Sequence, residues 1–207
     1  MKILAIIPAR KNSLRIKFKN KKKLGTKPLI EYSIDIAKKI KTFSNILVTT
    51  DDEEIINICK KKNILAPWIR PKYLSGSNVS SYRTVRHALK WYEKNIEKID
   101  IIFLLQPTSP FRTKKNILES LKLLSQINYK NSIVSVSLKK IKYNRKKLFN
   151  AFRPNGSIFI IKKKDLYKYK SFININSYPF IINNAKEALD IDTPNDWNKA
   201  LNYIKKN

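Results

Sequence analysis

Lys2-Ile3-Leu4-Ala5-Ile6-Ile7-Pro8-Ala9-Arg10-Lys11-Asn12-Ser13 begins as an apolar run and turns abruptly into a basic loop. Lys2 to Ile7 has the length and β-branched content of a buried strand, and Pro8 should end it. Five apolar residues before Pro8 are too few for the core of a secretory signal. From Arg10 to about Lys23 the chain is polar and rich in cations, so a strand feeds directly into a loop loaded with positive charge.

Working outward, Pro28 opens a helical pattern with Leu29, Tyr32, Ser33, Ile36, Ala37 and Ile40 on one face. Asn45 to Thr49 reads as a second strand. Asp51 to Lys62 reads as a helix with Ile55, Ile58 and Cys59 inward. Further helices are expected over Val79 to about Asn95 and Lys114 to Gln126, with a buried strand over Asp100 to Leu105 between them. Ser132 to Val136 and Ser157 to Ile161 are strand-like. The tail should carry a short strand ending at Asp192 and a helix from Pro194 to Ile204. Alternating strands and helices predict an α/β fold with a doubly wound parallel sheet and some antiparallel pairing late in the chain. No fixed-period repeat or low-complexity linker divides the 207 residues, so a single domain is expected. Ligands of such sheets bind beyond the carboxyl ends of the strands. The loops at Pro8–Asn20, Thr50, Gln106–Arg112 and Asp190–Asp192 are therefore where chemistry is expected.

Composition narrows the classes. With one Cys and one His, a disulfide framework, a Cys- or His-based metal centre and a His-dependent triad are set aside, and a reducing cytoplasm is expected. The longest apolar runs, such as Ile101 to Leu105, are too short to span a bilayer. The net charge of +29 suggests nucleic acid as a partner. However, Lys, Ile and Asn number 36, 31 and 21, and all three have adenine- and thymine-rich codons, so the excess is read chiefly as compositional background. No nucleic-acid-binding motif is visible. The acids are more informative, because they gather at Asp51 to Glu54 and at Asp190 to Asp196.

The loop after the first strand offers backbone N–H groups, the Ser13 hydroxyl and several cations, which is what a triphosphate requires. It is neither a P-loop nor a Gly-x-Gly-x-x-Gly turn, and a solvated surface loop is the alternative. Asp190 and Asp192, two apart on an extended segment, would share a face about 7 Å apart along the chain. Two such hard donors suit Mg²⁺, although the pair alone leaves metal binding open. Thr193-Pro194-Asn195-Asp196 has the pattern of a helix start, which makes Asp196 structural. The acids at 51–54 are read as a helix-dipole feature, Cys59 as core, and His87 as flanking the core. Gln106-Pro107-Thr108-Ser109-Pro110 presents an amide and hydroxyls, or is simply a Pro-rich turn.

Several stretches form an ordered set along the chain: Ile6-Ile7-Pro8-Ala9-Arg10 with Asn12-Ser13 and Lys19-Asn20, Lys27-Pro28-Leu29-Ile30, and Thr49 to Ile55. Arg70-Pro71 with Leu74-Ser75 and Ser80-Ser81, Leu104 to Arg112, Asn155-Gly156-Ser157-Ile158 and Asp190 to Pro194 complete it. As a set they resemble the acylneuraminate cytidylyltransferases, the CMP-sialic and CMP-legionaminic acid synthetase family.

The resemblance implies a Rossmann-like nucleotidyltransferase fold with a mostly parallel sheet. It implies transfer of CMP from CTP to a nonulosonic acid with release of pyrophosphate. Arg10, Ser13, Arg15 and Lys19 would meet the triphosphate, and Asn20, Arg70 and Ser81 the cytidine portion. Gln106 and Arg153 would meet the sugar. Asp190 and Asp192 would hold Mg²⁺, and Arg10, Lys19 and Asp192 would carry catalysis. The departures are Leu14 in place of a Lys, Lys17-Phe18 in place of a Pro, Ser77 in place of an Asp, and a shortened dimerisation and sugar-binding insertion around residues 137–154. A homodimer is implied, weakened by that shortening. A homologue that binds nucleotide without turnover is the alternative.

Overall fold

The computed structural model describes residues 1–143 and 147–205. In chain order the first half comprises β1 (Ile3–Ala9), β2 (Lys23–Leu24), β3 (Lys27–Pro28), α1 (Leu29–Lys38), β4 (Phe43–Thr50), α2 (Glu53–Lys61) and α3 (Ser81–Asn95). The second half comprises β5 (Ile101–Leu104), α4 (Lys114–Gln126), β6 (Ser132–Tyr143), β7 (Lys147–Lys162), α5 (Lys163–Tyr169), β8 (Ser177–Ile181) and α6 (Pro194–Lys205). Six strands form one sheet in the order β4-β1-β5-β7-β6-β8, and β2 and β3 form a small hairpin apart from it. The β1–β4, β1–β5 and β6–β8 pairs are parallel, while β7 runs antiparallel to both β5 and β6. This is the Rossmann-like α/β arrangement expected, with its antiparallel pairing late in the chain.

β1 is buried along almost its whole length because helices cover both faces of the sheet. Its odd residues Ile3, Ala5 and Ile7 pack with Ile30 and Ile34 of α1, Ile55 of α2 and Ile117 of α4. Its even residues Leu4 and Ile6 pack with Val85 and Leu89 of α3 and Leu166 of α5. A third cluster joins Ile16 and Leu24 to Ile191 and Trp197, fastening the first loop to the end of the chain. Each such fully buried aliphatic side chain contributes about 1.5–3 kcal/mol. Among the described residues, no helix is long and apolar enough to cross a membrane.

Several elements differ from expectation. β1 continues through Pro8 to Ala9 rather than stopping at Ile7. The Ile6 carbonyl accepts from the Leu105 N–H, and the β5 ladder ends at Ile6–Leu104. Pro8 therefore falls on the β5 side just past the last ladder bond, where its missing N–H costs nothing. In α1 the buried face is Leu29, Ile30, Ser33, Ile34 and Ala37, rotated toward the sheet, while Tyr32 and Ile36 are only half-buried.

The strands expected at Ser132–Val136 and Ser157–Ile161 are longer. They pair from Val136–Pro154 out to Tyr143–Lys147 as an extended hairpin. Of the insertion expected at 137–154, residues 144–146 lie outside the described residues. The tail strand ending at Asp192 does not form. The last strand is β8, paired to β6, and Asp190–Asp192 lies in a loop tied down by the Ile191 N–H donating to the Thr108 carbonyl at 2.7 Å.

The helix start at Thr193 is a reciprocal capping box. The Asp196 N–H donates to Thr193 Oγ1 at 3.2 Å, and the Thr193 N–H donates to Asp196 Oδ2 at 2.9 Å. Burial works to raise the Asp196 pKa, but hydrogen bonds from the Thr193 hydroxyl and N–H outweigh it and the net shift is downward. A lowered carboxyl pKa stabilises the fold fully above the unfolded value of about 3.9, and this contribution is lost as pH falls through the folded value. Asp196→Ala should lower stability by about 1 kcal/mol at pH 7, read as a shifted urea midpoint with unchanged slope. The difference from wild type should shrink as the pH is lowered below the usual carboxylate range.

Candidate active site

Because β1, β4 and β5 are parallel, their carboxyl ends open on one edge of the sheet, and a cleft of about 300 Å³ lies there. The loop after β1 supplies Arg10, Ser13, Lys19 and Asn20 to its lining. The segment after β4 supplies Arg70, and Ser81 stands at the first turn of α3. Gln106 and Thr108 come from the loop after β5, and Asp190 and Asp192 close the far side. The N-terminus of α3, a 15-residue helix capped by Ser80, adds the positive end of its dipole at Ser81.

The first loop is held in shape by its own polar side chains. Asn20 Nδ2 donates to the Arg10 carbonyl at 2.9 Å, and the Asn20 carbonyl accepts from the Ile30 N–H at 2.9 Å. Lys19 is only 8 % exposed. Its ammonium donates to the Ile191 carbonyl at 2.6 Å and to Asp192 Oδ1 at 3.1 Å, joining the first loop to the last. Arg15 lies outside the main cleft, in a small pocket beside it. Its Nε donates to the Asp192 carbonyl at 3.0 Å, and its guanidinium sits 3.4 Å from Asp192 Oδ2. Leu14, at the position of the expected Lys, is 80 % exposed.

Asp51 does more than favour a helix dipole. It precedes α2, accepts from the Lys11 N–H at 2.8 Å, and pairs with Arg70 Nη2 at 3.1 Å. Asp52 is the N-cap, accepting from the Glu54 N–H at 3.0 Å. Arg70 is buried, with Nη1 donating to the Thr49 carbonyl and Nε to Ser75 Oγ, both at 3.1 Å. Burial lowers the Arg70 pKa; Asp51 opposes this, and the charge of Arg10 adds to the lowering. The cleft thus holds cations near enough to repel one another, a natural seat for a polyanion.

The acidic side is complementary. Burial raises the Asp190 pKa; a hydrogen bond from Thr108 opposes it and the charge of Asp192 adds to it. Asp190 Oδ1 is buried and has no hydrogen-bond partner. An orphaned carboxylate oxygen beside a second carboxylate is a donor set that fits a hard cation. Among the described residues, no group of three or more His, Cys, Asp or Glu side chains gathers as a metal site.

β7 backs this side of the cleft. Gly156 has φ +78°, and a Cβ there would lie 3.0 Å from Gln106 Oε1 and 3.2 Å from Asp190 Oδ2. Only glycine leaves room for both. Asn155 fixes the bend by accepting from Ser135 Oγ at 2.6 Å and donating to Ser137 Oγ at 3.1 Å. Beneath Gln106, the buried Arg112 donates to the Ser157 carbonyl, to Ser33 Oγ at 3.1 Å and to the Gln106 carbonyl at 2.9 Å. Arg112, Thr108, Asp51 and Gly156 stood in recognised motifs, but nothing in the sequence separated their roles from those of a turn or a helix start.

A second cleft of about 260 Å³ shares Ser81 and Gln106 with the first and extends to Phe159, Lys170 and Phe172. Arg153 lines neither cleft. It is exposed on β7 opposite Ser137, carried away along the hairpin. His87 packs edge-on against Trp68, and burial, with Arg70 nearby, lowers its pKa. Cys59 is core, its thiol pKa pushed up to about 12 by burial.

The chain is similar to proteins of related names. It is 32% identical to the CMP-N,N'-diacetyllegionaminic acid synthase of Legionella pneumophila, over 95% of this chain and 94% of that one. It is also 32% identical to the N-acylneuraminate cytidylyltransferase of Escherichia coli, over 99% of this chain but 52% of that protein, so it spans about half of that relative's length. In fold it resembles a CMP:2-keto-3-deoxy-manno-octonic acid synthetase complexed with CTP, with a TM-score of 0.77 at 16% identity over 100% of this chain and 99% of the other. The cytidylyltransferase family pattern matches residues 4–206. With a cation-lined cleft at the carboxyl ends of β1, β4 and β5 and a match over nearly its whole length, this chain belongs to the cytidylyltransferase family.

Proposed function

We propose that the chain transfers CMP from CTP to a nonulosonic acid of the sialic or legionaminic type and releases pyrophosphate. The observation that carries this reading is the convergence of Arg10, Lys19 and Arg70 with Asp190 and Asp192 in one cleft. The names of the most similar relatives support it.

In the reaction the sugar's anomeric oxygen bonds to the α-phosphorus, the bond from that phosphorus to the bridging oxygen breaks, and pyrophosphate departs with the electron pair. The hydroxyl proton passes to solvent. Little covalent work falls to the protein, so catalysis rests on alignment and on offsetting charge that grows on the leaving group. Arg10, Ser13 and Lys19 hold the triphosphate, with Arg15 bracing Asp192 from outside the cleft. Asn20, Arg70 and Ser81 face the cytidine portion, and Gln106 faces the sugar.

Asp190 and Asp192 would hold Mg²⁺, and the orphaned Asp190 oxygen is the feature that fits it. When bound, such an ion supplies positive charge to the phosphate oxygens. Lys19 keeps Asp192 in place from the protein side. CTP as donor substrate sets the reaction in the cytoplasm. The chain works as a homodimer through the β6–β7 hairpin, where Leu138 and Phe152 are register partners, 45 % and 55 % exposed.

Pyrophosphate release from CTP, assayed with sialic, legionaminic and pseudaminic acids, tests the function. At least one acid should support release, and Lys19→Met and Asp190→Asn should each lower kcat/KM about 10²–10³-fold. No release with any of them, from protein that binds CTP, refutes turnover. Sedimentation should show a dimer that Leu138→Ser with Phe152→Ser converts to monomer.

A further inference from the structure

We infer that Lys170 is the carboxylate anchor of the sugar acid in the second cleft, an inference that rests on the function proposed above. The cleft adjoins the nucleotide site through Ser81 and Gln106, so a molecule seated in it would border the phosphates. One wall is apolar, with Phe159 and Phe172 packed edge-to-face at 6.1 Å between centroids and Ile173 beside them. The rest is hydroxyl and amide, and Lys170 is the only cation among the described lining residues. An amphiphilic ligand with a single negative charge matches that lining.

The backbone at Lys170 matters for the variants that test its role. It caps α5 in the left-handed region at φ +51° and ψ +26°, its N–H donating to the Leu166 carbonyl. Glycine is the residue favoured at that position, because a Cβ is disfavoured there. Phe18, Asn63, Asn128 and Tyr129 adopt the same left-handed conformation, and among these five Lys170 is the one that lines the second cleft. Among the described residues Lys170 forms no ion pair, and its side chain is exposed. Arg153, the other cation considered for this role, lines neither cleft.

A 2-keto sugar acid in its ring form carries its carboxylate on the carbon that bears the attacking hydroxyl. A cation holding that carboxylate therefore also orients the nucleophile. Charge-assisted hydrogen bonds of this kind are strong enough to dominate recognition of a small anion.

The experiment compares wild type with Lys170→Met, Lys170→Arg and Lys170→Gly. It reads turnover with the preferred sugar acid, calorimetric binding of that acid, and melting temperature. Lys170→Met should raise the sugar KM and Kd by about 10–100-fold with the CTP KM unchanged. Lys170→Arg should stay within a few-fold of wild type. Lys170→Gly should bind the acid as poorly as Lys170→Met yet melt higher, which a merely structural role would not produce. Against the carboxamide of the same sugar, wild type and Lys170→Met should bind alike.

An unchanged sugar Kd in Lys170→Met, or equal losses for sugar and CTP, overturns the inference, as does wild type that binds no sugar acid. Wild type that binds the acid but releases no pyrophosphate refutes the enzymatic reading alone, and the binding series still decides the role of Lys170.

Discussion

A buried guanidinium holds the site together. Arg112 is 4 % exposed, and burial pushes its pKa down to about 9, with the charge of Asp190 working the other way. It therefore stays charged at neutral pH. A charge out of water must find hydrogen-bond partners, and this one finds them on three elements: Ser33 of α1, the Gln106 carbonyl past β5, and the Ser157 carbonyl of β7. Those bonds fix where β7 crosses the end of β5. That crossing in turn sets Gly156 against Gln106 and Asp190. Leaving one of these buried donors unpaired would cost about 1–3 kcal/mol or more, so the geometry of the acidic wall is strongly determined.

The opposite wall follows the same logic with weaker parts. Arg70 and Asp51 brace the loop from the β4 side, and Lys19 braces it from the C-terminal side. Cations that repel one another across a cleft are stable only while each has its own local partner. Arg70 has Asp51, and Lys19 has Asp192 and the Ile191 carbonyl. A polyanionic ligand would relieve the repulsion that remains. Among the 44 basic residues, these two are fixed at the cleft by their own partners, which a lysine-rich background does not explain.

Much of this was legible in the residues. The alternation of apolar runs, with Pro28 opening a helical pattern, located the strands and helices, and α4 matches its expected span. Thr193-Pro194-Asn195-Asp196 announced its capping box because that motif is satisfied within four residues. The failures share a different cause. Pro8 stays in β1 because the ladder to the neighbouring β5 ends two residues earlier, at Ile6. The Asp190–Asp192 segment forms no strand because Ile191 bonds to a loop instead. Asp51 resembled a dipole residue because its partners, Lys11 and Arg70, lie 40 residues before it and 19 after it.

By itself, then, the sequence determined the class of fold and the loops at the carboxyl ends of the strands, because periodicity and caps are local patterns. The residues expected in the main cleft, Arg70 and Ser81 among them, came from the resemblance of motifs ordered along the whole chain. Only the tertiary structure decided that Arg153 stands apart and Arg15 braces Asp192 from outside. It alone showed that Gly156 makes room for Asp190, and that a second cleft with one lysine opens beside the first. Those outcomes depend on where distant segments cross, and burial together with the hydrogen-bond demands of Arg112 and Asn155 sets those crossings across the whole chain at once.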